Sequence, residues 1–81
     1  MNIALDYDKT YTNDPELWDS FIRLSVDRGH SVAIVTMRYP SECVGEMQVP
    51  VIYTSRKAKQ DFYSADVWVD DSPVHIYKDY V

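Results

Sequence analysis

The sequence predicts a small α/β domain: three layers around a mainly parallel sheet of about four strands. Three observations carry this. Short apolar runs alternate with amphipathic segments, the runs are unbroken rather than alternating in polarity, and the connections are only two to seven residues long. Unbroken apolar strands belong to sheets covered on both faces, which is the parallel arrangement.

The first strand is Ile3-Ala4-Leu5, and it ends abruptly in Asp6-Tyr7-Asp8. Tyr11 to Asp14 is turn chemistry, and Asp14-Pro15 is the N-cap and first-position pairing of a helix. Leu17, Trp18, Phe21, Leu24 and Ser25 then fall on one face at helical spacing, and Gly29 closes the helix. Ser31 to Thr36 is a buried strand ending in a hydroxyl, and strand, helix and strand at this length form a right-handed parallel crossover. Pro40 to Gly45 suggests a short helix. Val49 to Thr54 is the third strand, and Ser55 is placed to cap a helix over Arg56 to Ser64 with Ala58, Phe62 and Tyr63 as its apolar members. Asp66 to Asp70 is the fourth strand. Ser72-Pro73 opens a last helical turn or short strand that covers the sheet.

The totals set limits on function. The 81 residues make one domain, 1–81, whose 46% hydrophobic and 26% charged content is that of an ordinary globular protein. By surface scaling such a chain buries only roughly 60 to 65% of the surface that its unfolded form exposes, so the core is thin. A net charge of −5 argues against long duplex nucleic acid as a partner, although a local basic patch can still meet one phosphate. No apolar run is long enough to span a bilayer, and no membrane partner is expected. The single Cys43 excludes an internal disulfide, and the N-terminus lacks the order of a signal peptide; a reduced, cytoplasmic setting is expected.

The chemistry concentrates at the strand ends. Ionised groups at the margin of a core are costly unless something compensates them, and two pairs occur here: Asp6 with Asp8, and Asp70 with Asp71. Strand alternation points Asp6 and Asp8 the same way, and a hard divalent cation such as Mg²⁺ would relieve their mutual repulsion. The plainer readings are a solvated turn at Asp8 and a turn with a helix cap at Asp-Asp-Ser-Pro. Thr36 is by itself a β-branched residue in a strand, and Lys57 and Lys59 are by themselves solvated lysines.

In order and spacing, however, these residues resemble the four motifs of the haloacid dehalogenase (HAD) superfamily of phosphohydrolases. Asp6-Tyr7-Asp8-Lys9-Thr10 resembles the first, Val32 to Thr36 the second, Lys57 or Lys59 the third, and Val67-Trp68-Val69-Asp70-Asp71 the fourth. The resemblance implies a Rossmann-like, HAD-like fold and a Mg²⁺-dependent phosphatase working through an aspartyl phosphate. It makes Asp6 the nucleophile and Asp8 the general acid and base. Thr36 and the backbone N–H groups of Met37 and Arg38 hold the phosphoryl group, with Thr10 beside them, and Lys57 or Lys59 offsets charge. Lys59 is favoured by the apolar pair three and four residues on. Asp6, Asp8, Asp70 and Asp71 make up the metal shell.

Family members carry cap insertions, but Thr10 to Pro15 leaves room only for a turn, so the site is expected to be capless and open. Its specificity then comes from a large phosphorylated substrate, such as a nucleotide, a nucleic-acid end or a phosphoprotein, or from a partner subunit in a homo-oligomer. Tyr11, Arg38 and Tyr39 are placed to line the mouth. Two other functions compete: a catalytically silent binding module of the same fold, and a phosphoacceptor receiver domain. The receiver reading expects its adjacent acidic pair early in the chain, whereas here that pair comes last.

Overall fold

The computed structural model describes all 81 residues. Its four-stranded sheet is entirely parallel and has the order β3-β2-β1-β4, where β1 is Asn2–Leu5, β2 Ser31–Thr36, β3 Val51–Tyr53 and β4 Val67–Val69. The two longest strands lie in the middle and are buried from Ile3 to Leu5 and from Val32 to Thr36. The outer strands have only three residues each and are half-exposed, shorter than the runs 49–54 and 66–70 suggested. An edge strand loses one side of its ladder to solvent, so fewer residues hold strand geometry.

Side-chain alternation divides the core. Ile3, Leu5, Val32 and Ile34 point to one face and pack with Ile22 of α1 (Pro15–Asp27); Ala4, Ala33 and Val35 point to the other, against Ile52, Tyr63, Ala65 and Trp68. The middle of the second face is lined by Ala4 and Ala33, and irregular chain rather than a long helix lies across it.

α1 starts as its sequence demands. Asp14 Oδ1 accepts the N–H of Leu17 at 3.2 Å, and Pro15 occupies the first turn. Beyond its end, Gly29 takes φ +87°, a left-handed conformation, while its N–H bonds the Val26 carbonyl. The buried face is rotated from the expected one: Ile22 and Ser25 are buried and Trp18 and Phe21 half-buried, whereas Leu17 and Leu24 are 54% and 61% exposed.

Two expected helices are not formed. Pro40–Glu42 is a single 3₁₀ turn. The segment 56–64 contains only the 3₁₀ turn Lys59–Asp61, and Ser55 caps nothing. Its backbone is committed elsewhere: Ser55 and Arg56 both have positive φ, the Thr54 hydroxyl donates to the Lys57 carbonyl at 2.8 Å, and the Ala58 N–H donates to Asp79 Oδ1 at 2.7 Å. Two consecutive left-handed residues cannot begin a right-handed helix. The tail forms a short helix, α2 (Val74–Tyr77), and Tyr80 N–H bonds the Arg56 carbonyl, which ties the end of the chain to this segment. No helix is long and apolar enough to cross a membrane.

Candidate metal and anion site

Parallel strands deliver their C-terminal ends to one edge, and register decides which residues meet there. Leu5 lies opposite Val69, and the Asp6 N–H donates to the Val69 carbonyl at 2.9 Å, so Asp6 and Asp70 leave the sheet side by side. Asp71 follows. One carboxylate oxygen from each of Asp6, Asp70 and Asp71 lies within 4.8 Å of the others.

Lys59 reaches into this trio from the far side of the β4 crossover. Its ammonium is 2.6 Å from Asp6 Oδ1 and 2.6 Å from Asp70 Oδ2, and its side chain is 4% exposed. Asp70 is held at its other oxygen by the Ser72 N–H at 2.9 Å. The Thr10 hydroxyl lies 3.2 Å from Asp6 Oδ2 and 3.1 Å from Asp71 Oδ1, with one proton to share between them, and it also accepts the Asp71 N–H at 3.3 Å.

One ammonium among three carboxylates leaves negative charge in excess. Burial, then a hydrogen bond with Asp71, pushes the Asp6 carboxyl up to about 7, against the opposing pull of Lys59. Asp71 moves the other way, held below the ordinary carboxylate range chiefly by that same bond from Asp6. Of the pair, Asp6 is therefore the one that takes up a proton first as pH falls.

Asp8 is placed apart from the trio. It lines the same depression, but its exposed carboxylate forms a two-pronged ion pair with Arg38, Nε to Oδ2 at 3.0 Å and Nη2 to Oδ1 at 2.8 Å, which lowers its pKa. Arg38 also lies over the Tyr7 ring, 5.1 Å from its centre. Thr36 and Met37 are on the wall of the depression, and the Thr36 hydroxyl accepts the Arg38 N–H at 3.3 Å. Lys57 is elsewhere, exposed and 3.9 Å from Asp79, so of the two lysines only Lys59 meets the acidic groups. Thr10 binds carboxylates rather than facing an open anion position. Tyr11 is turned away from the mouth, stacked on Tyr7 with its hydroxyl donating to Asp19 at 2.8 Å, and Tyr39 lies under Arg56, 5.0 Å from ring centre to guanidinium.

The depression has a volume of about 360 Å³. Lys9, Arg56, Ser72, His75 and Tyr80 complete its wall, none of them anticipated from the sequence. Arg56 is fixed there by its bond to the Met37 carbonyl at 2.7 Å. His75 and Tyr80 come from the tail, whose fold-back over the site has no marker in the local sequence.

The comparison with known families gives one match. The model of the protein kinase C delta/epsilon/eta/theta C2 domain matches residues 6–75. The chain belongs to that family. The expected membership of the HAD superfamily is thereby overturned, and with it the phosphatase activity, the aspartyl-phosphate intermediate and the assignment as a hydrolase, since the match points to a binding module. The four motifs that suggested otherwise are short, whereas the match runs through most of the chain. The all-parallel sheet does not fit a C2 domain, so family assignment and architecture disagree; the side chains gathered at the sheet edge are observed independently of either. Neither a curated protein nor a solved structure matches the chain significantly.

Proposed function

We propose that this protein is a binding module that takes a hard divalent cation, Mg²⁺ or Ca²⁺, at Asp6, Asp70 and Asp71 and, through it, an anionic phosphorylated ligand. The observation that carries this reading is the convergence of three carboxylate oxygens within 4.8 Å, with more negative charge than Lys59 offsets. The donor set fits such an ion: every available ligand atom is a carboxylate oxygen, and no imidazole or thiolate belongs to the trio. A bound cation supplies positive charge that attracts an anion. Lys9 and Arg56 on the wall, and Arg38 beside Asp8, add charge of the same sign. The same reading takes the domain as three-layered and Rossmann-like, with α1 over one face and residues 58–65 over the other. The lone exposed thiol of Cys43 supports a reducing, cytoplasmic setting.

The test is thermal unfolding with Mg²⁺ and with Ca²⁺ at fixed ionic strength, beside Asp70→Asn. A ligand bound only by the folded state stabilises it by about 2.7 kcal/mol at a hundredfold excess over its Kd. In a domain of this size each kcal/mol moves Tm by about 4 to 8 °C. A rise abolished by Asp70→Asn, followed by cation-dependent binding of inorganic phosphate, supports the reading; an equal rise in both proteins, or none, removes it. Cation-dependent hydrolysis of an aryl phosphate that Asp6→Asn abolishes would overturn the binding-module assignment in particular.

A further inference from the structure

After Asp71 the tail folds back onto the segment 55–64. α2 packs against the turn Lys59–Asp61, yet none of its residues is buried, and Tyr77 and Tyr80 are 64% and 56% exposed. With so little apolar surface covered, polar contacts hold the tail in place. Asp79 Oδ1 accepts the Ala58 N–H at 2.7 Å, Asp79 Oδ2 lies 3.9 Å from the Lys57 ammonium, and the Tyr80 N–H donates to the Arg56 carbonyl at 2.9 Å. Arg56, Lys57 and Ala58 are the residues immediately before Lys59.

The closed arrangement carries two internal costs. Ser55 and Arg56 sit at φ +53° and +68°, a left-handed conformation that is unfavourable for residues with a Cβ and persists only where surrounding contacts impose it. His75 Nδ1 is enclosed without a hydrogen-bond partner, its ring tilted against Tyr80 at 5.1 Å, and a buried polar atom in that state regains a bond on meeting water. Lifting the tail relieves the second cost and removes one of the contacts that impose the first.

We infer that the tail is a clasp on Lys59: with Asp79 seated on Ala58 the Lys59 ammonium is locked between Asp6 and Asp70, and with the tail lifted residues 58–63 loosen and the ammonium leaves its carboxylates. His75 and Tyr80 wall the larger depression, so the same movement opens that wall. Asp79 is a positioning residue, acting through the backbone of Ala58 on the side chain that follows. Segments with few buried contacts open locally, at less cost than global unfolding. The clasp is a property of the chain alone and holds whatever the depression binds.

The experiment uses the full chain without added cation or ligand and has two readouts. Hydrogen exchange in sub-denaturing urea is followed at Phe62 and Tyr63, whose N–H groups bond the Lys59 carbonyl at 3.0 and 3.2 Å, at Tyr80, and at Ile34 of the central sheet, whose N–H bonds the Pro50 carbonyl. Acetylation by an N-hydroxysuccinimide ester, read by mass spectrometry, compares Lys59, with its side chain 4% exposed, to Lys57 at 64%. Phe62, Tyr63 and Tyr80 are expected to share one opening free energy, below that of Ile34 and only weakly dependent on urea. Asp79→Ala should speed their exchange and the acetylation of Lys59 about tenfold, whereas Asp79→Asn, which keeps an oxygen to accept the Ala58 N–H, should stay within about twofold of wild type. The clasp is refuted if Phe62 and Tyr63 exchange only together with Ile34 in steeply urea-dependent unfolding, if Asp79→Ala leaves Lys59 labelling unchanged, or if Asp79→Asn behaves as Asp79→Ala does. Should Asp79→Ala fail to fold, the wild-type exchange pattern decides alone.

Discussion

Lys59 Nζ and Asp6 Oδ1 are 2.6 Å apart although 53 residues separate them in the chain, and the same ammonium is equally close to Asp70. Asp6 and Lys59 are both buried, so their pairing fixes the strand edge and the irregular segment 55–64 relative to one another.

Removing that ammonium should be costly. Breaking a buried ion pair on one side typically destabilises by about 3 to 5 kcal/mol. Lys59→Met is expected at the lower end, because Asp6 can relieve itself by taking up a proton. Urea unfolding at pH 7 measures it, and added Mg²⁺ or Ca²⁺ should recover part of the loss. A change below about 1 kcal/mol would show that the bridge contributes no more than a surface pair.

The pH response of the cation-free protein should carry the sign of Asp6. Its folded pKa of about 7 lies above its unfolded value of 3.8, so between these limits the folded state holds more protons than the unfolded one. The stability this group contributes is complete below about pH 4 and is lost as pH rises through about 7. The difference between wild type and Asp6→Asn, followed by urea midpoint from pH 4 to 8, isolates it from the other carboxylates. A difference that grows in favour of wild type with rising pH would contradict the assignment.

Cation affinity should run in the opposite direction. The proton at Asp6 must leave before its oxygen can serve a metal, so apparent affinity should weaken as pH falls below 7, by up to about tenfold per pH unit. Calorimetry in two buffers of different ionisation enthalpy would count the released proton. Binding that is flat from pH 5 to 8 would remove Asp6 from the ligand set.

Arg38→Ala should separate stability from binding. Its ion pair with Asp8 is largely solvated, with side chains 32% and 52% exposed, and such pairs contribute about 1 kcal/mol or less. Unfolding should therefore change little, while affinity for inorganic phosphate in the presence of cation should fall several-fold. Equal affinity in both proteins would confine Arg38 to holding Asp8.

Gly29→Ala tests the end of α1. A Cβ there meets nothing within 4 Å, so any cost comes from the backbone at φ +87° alone. About 1 kcal/mol is expected, read as a Tm lower by about 4 to 8 °C.

The central strands were legible because they are buried on both faces and their composition states it: Ile3 to Leu5 and Val32 to Val35 contain no polar residue. An α/β domain with four parallel strands followed from that alternation. The meeting of Asp6 with Asp70 and Asp71 was legible for a related reason, since parallel strands align their ends. Segment 55–64 was not. A helix there was inferred from apolar spacing, but positive φ at Ser55 and Arg56 depends on bonds to residues such as Met37, Arg38 and Tyr80, which are remote in sequence. That Lys59 lies against Asp6 and Asp70 while Lys57 lies near Asp79 depends on the same remote contacts. The face of α1 was misjudged because Ile22 was left out of the stripe, although it is 1% exposed. Family membership was least legible, since short motifs of common residues outweighed a resemblance spread along the chain.

The sheet order β3-β2-β1-β4 sets the sequence of assembly as well as the architecture. β1, the earliest of the four strands in the chain, is an inner strand, and its neighbour on one side is β4, the latest of the four. A nascent chain halted before residue 67 has β1 with an open flank and Asp6 without Asp70 or Asp71. Asp6 meets Asp70 and Asp71 only across most of the polypeptide, and pairings of such sequence separation are the slower ones to form. Loss of the final fifteen residues would therefore abolish cation binding outright rather than weaken it, and would leave a hydrophobic edge exposed to other chains.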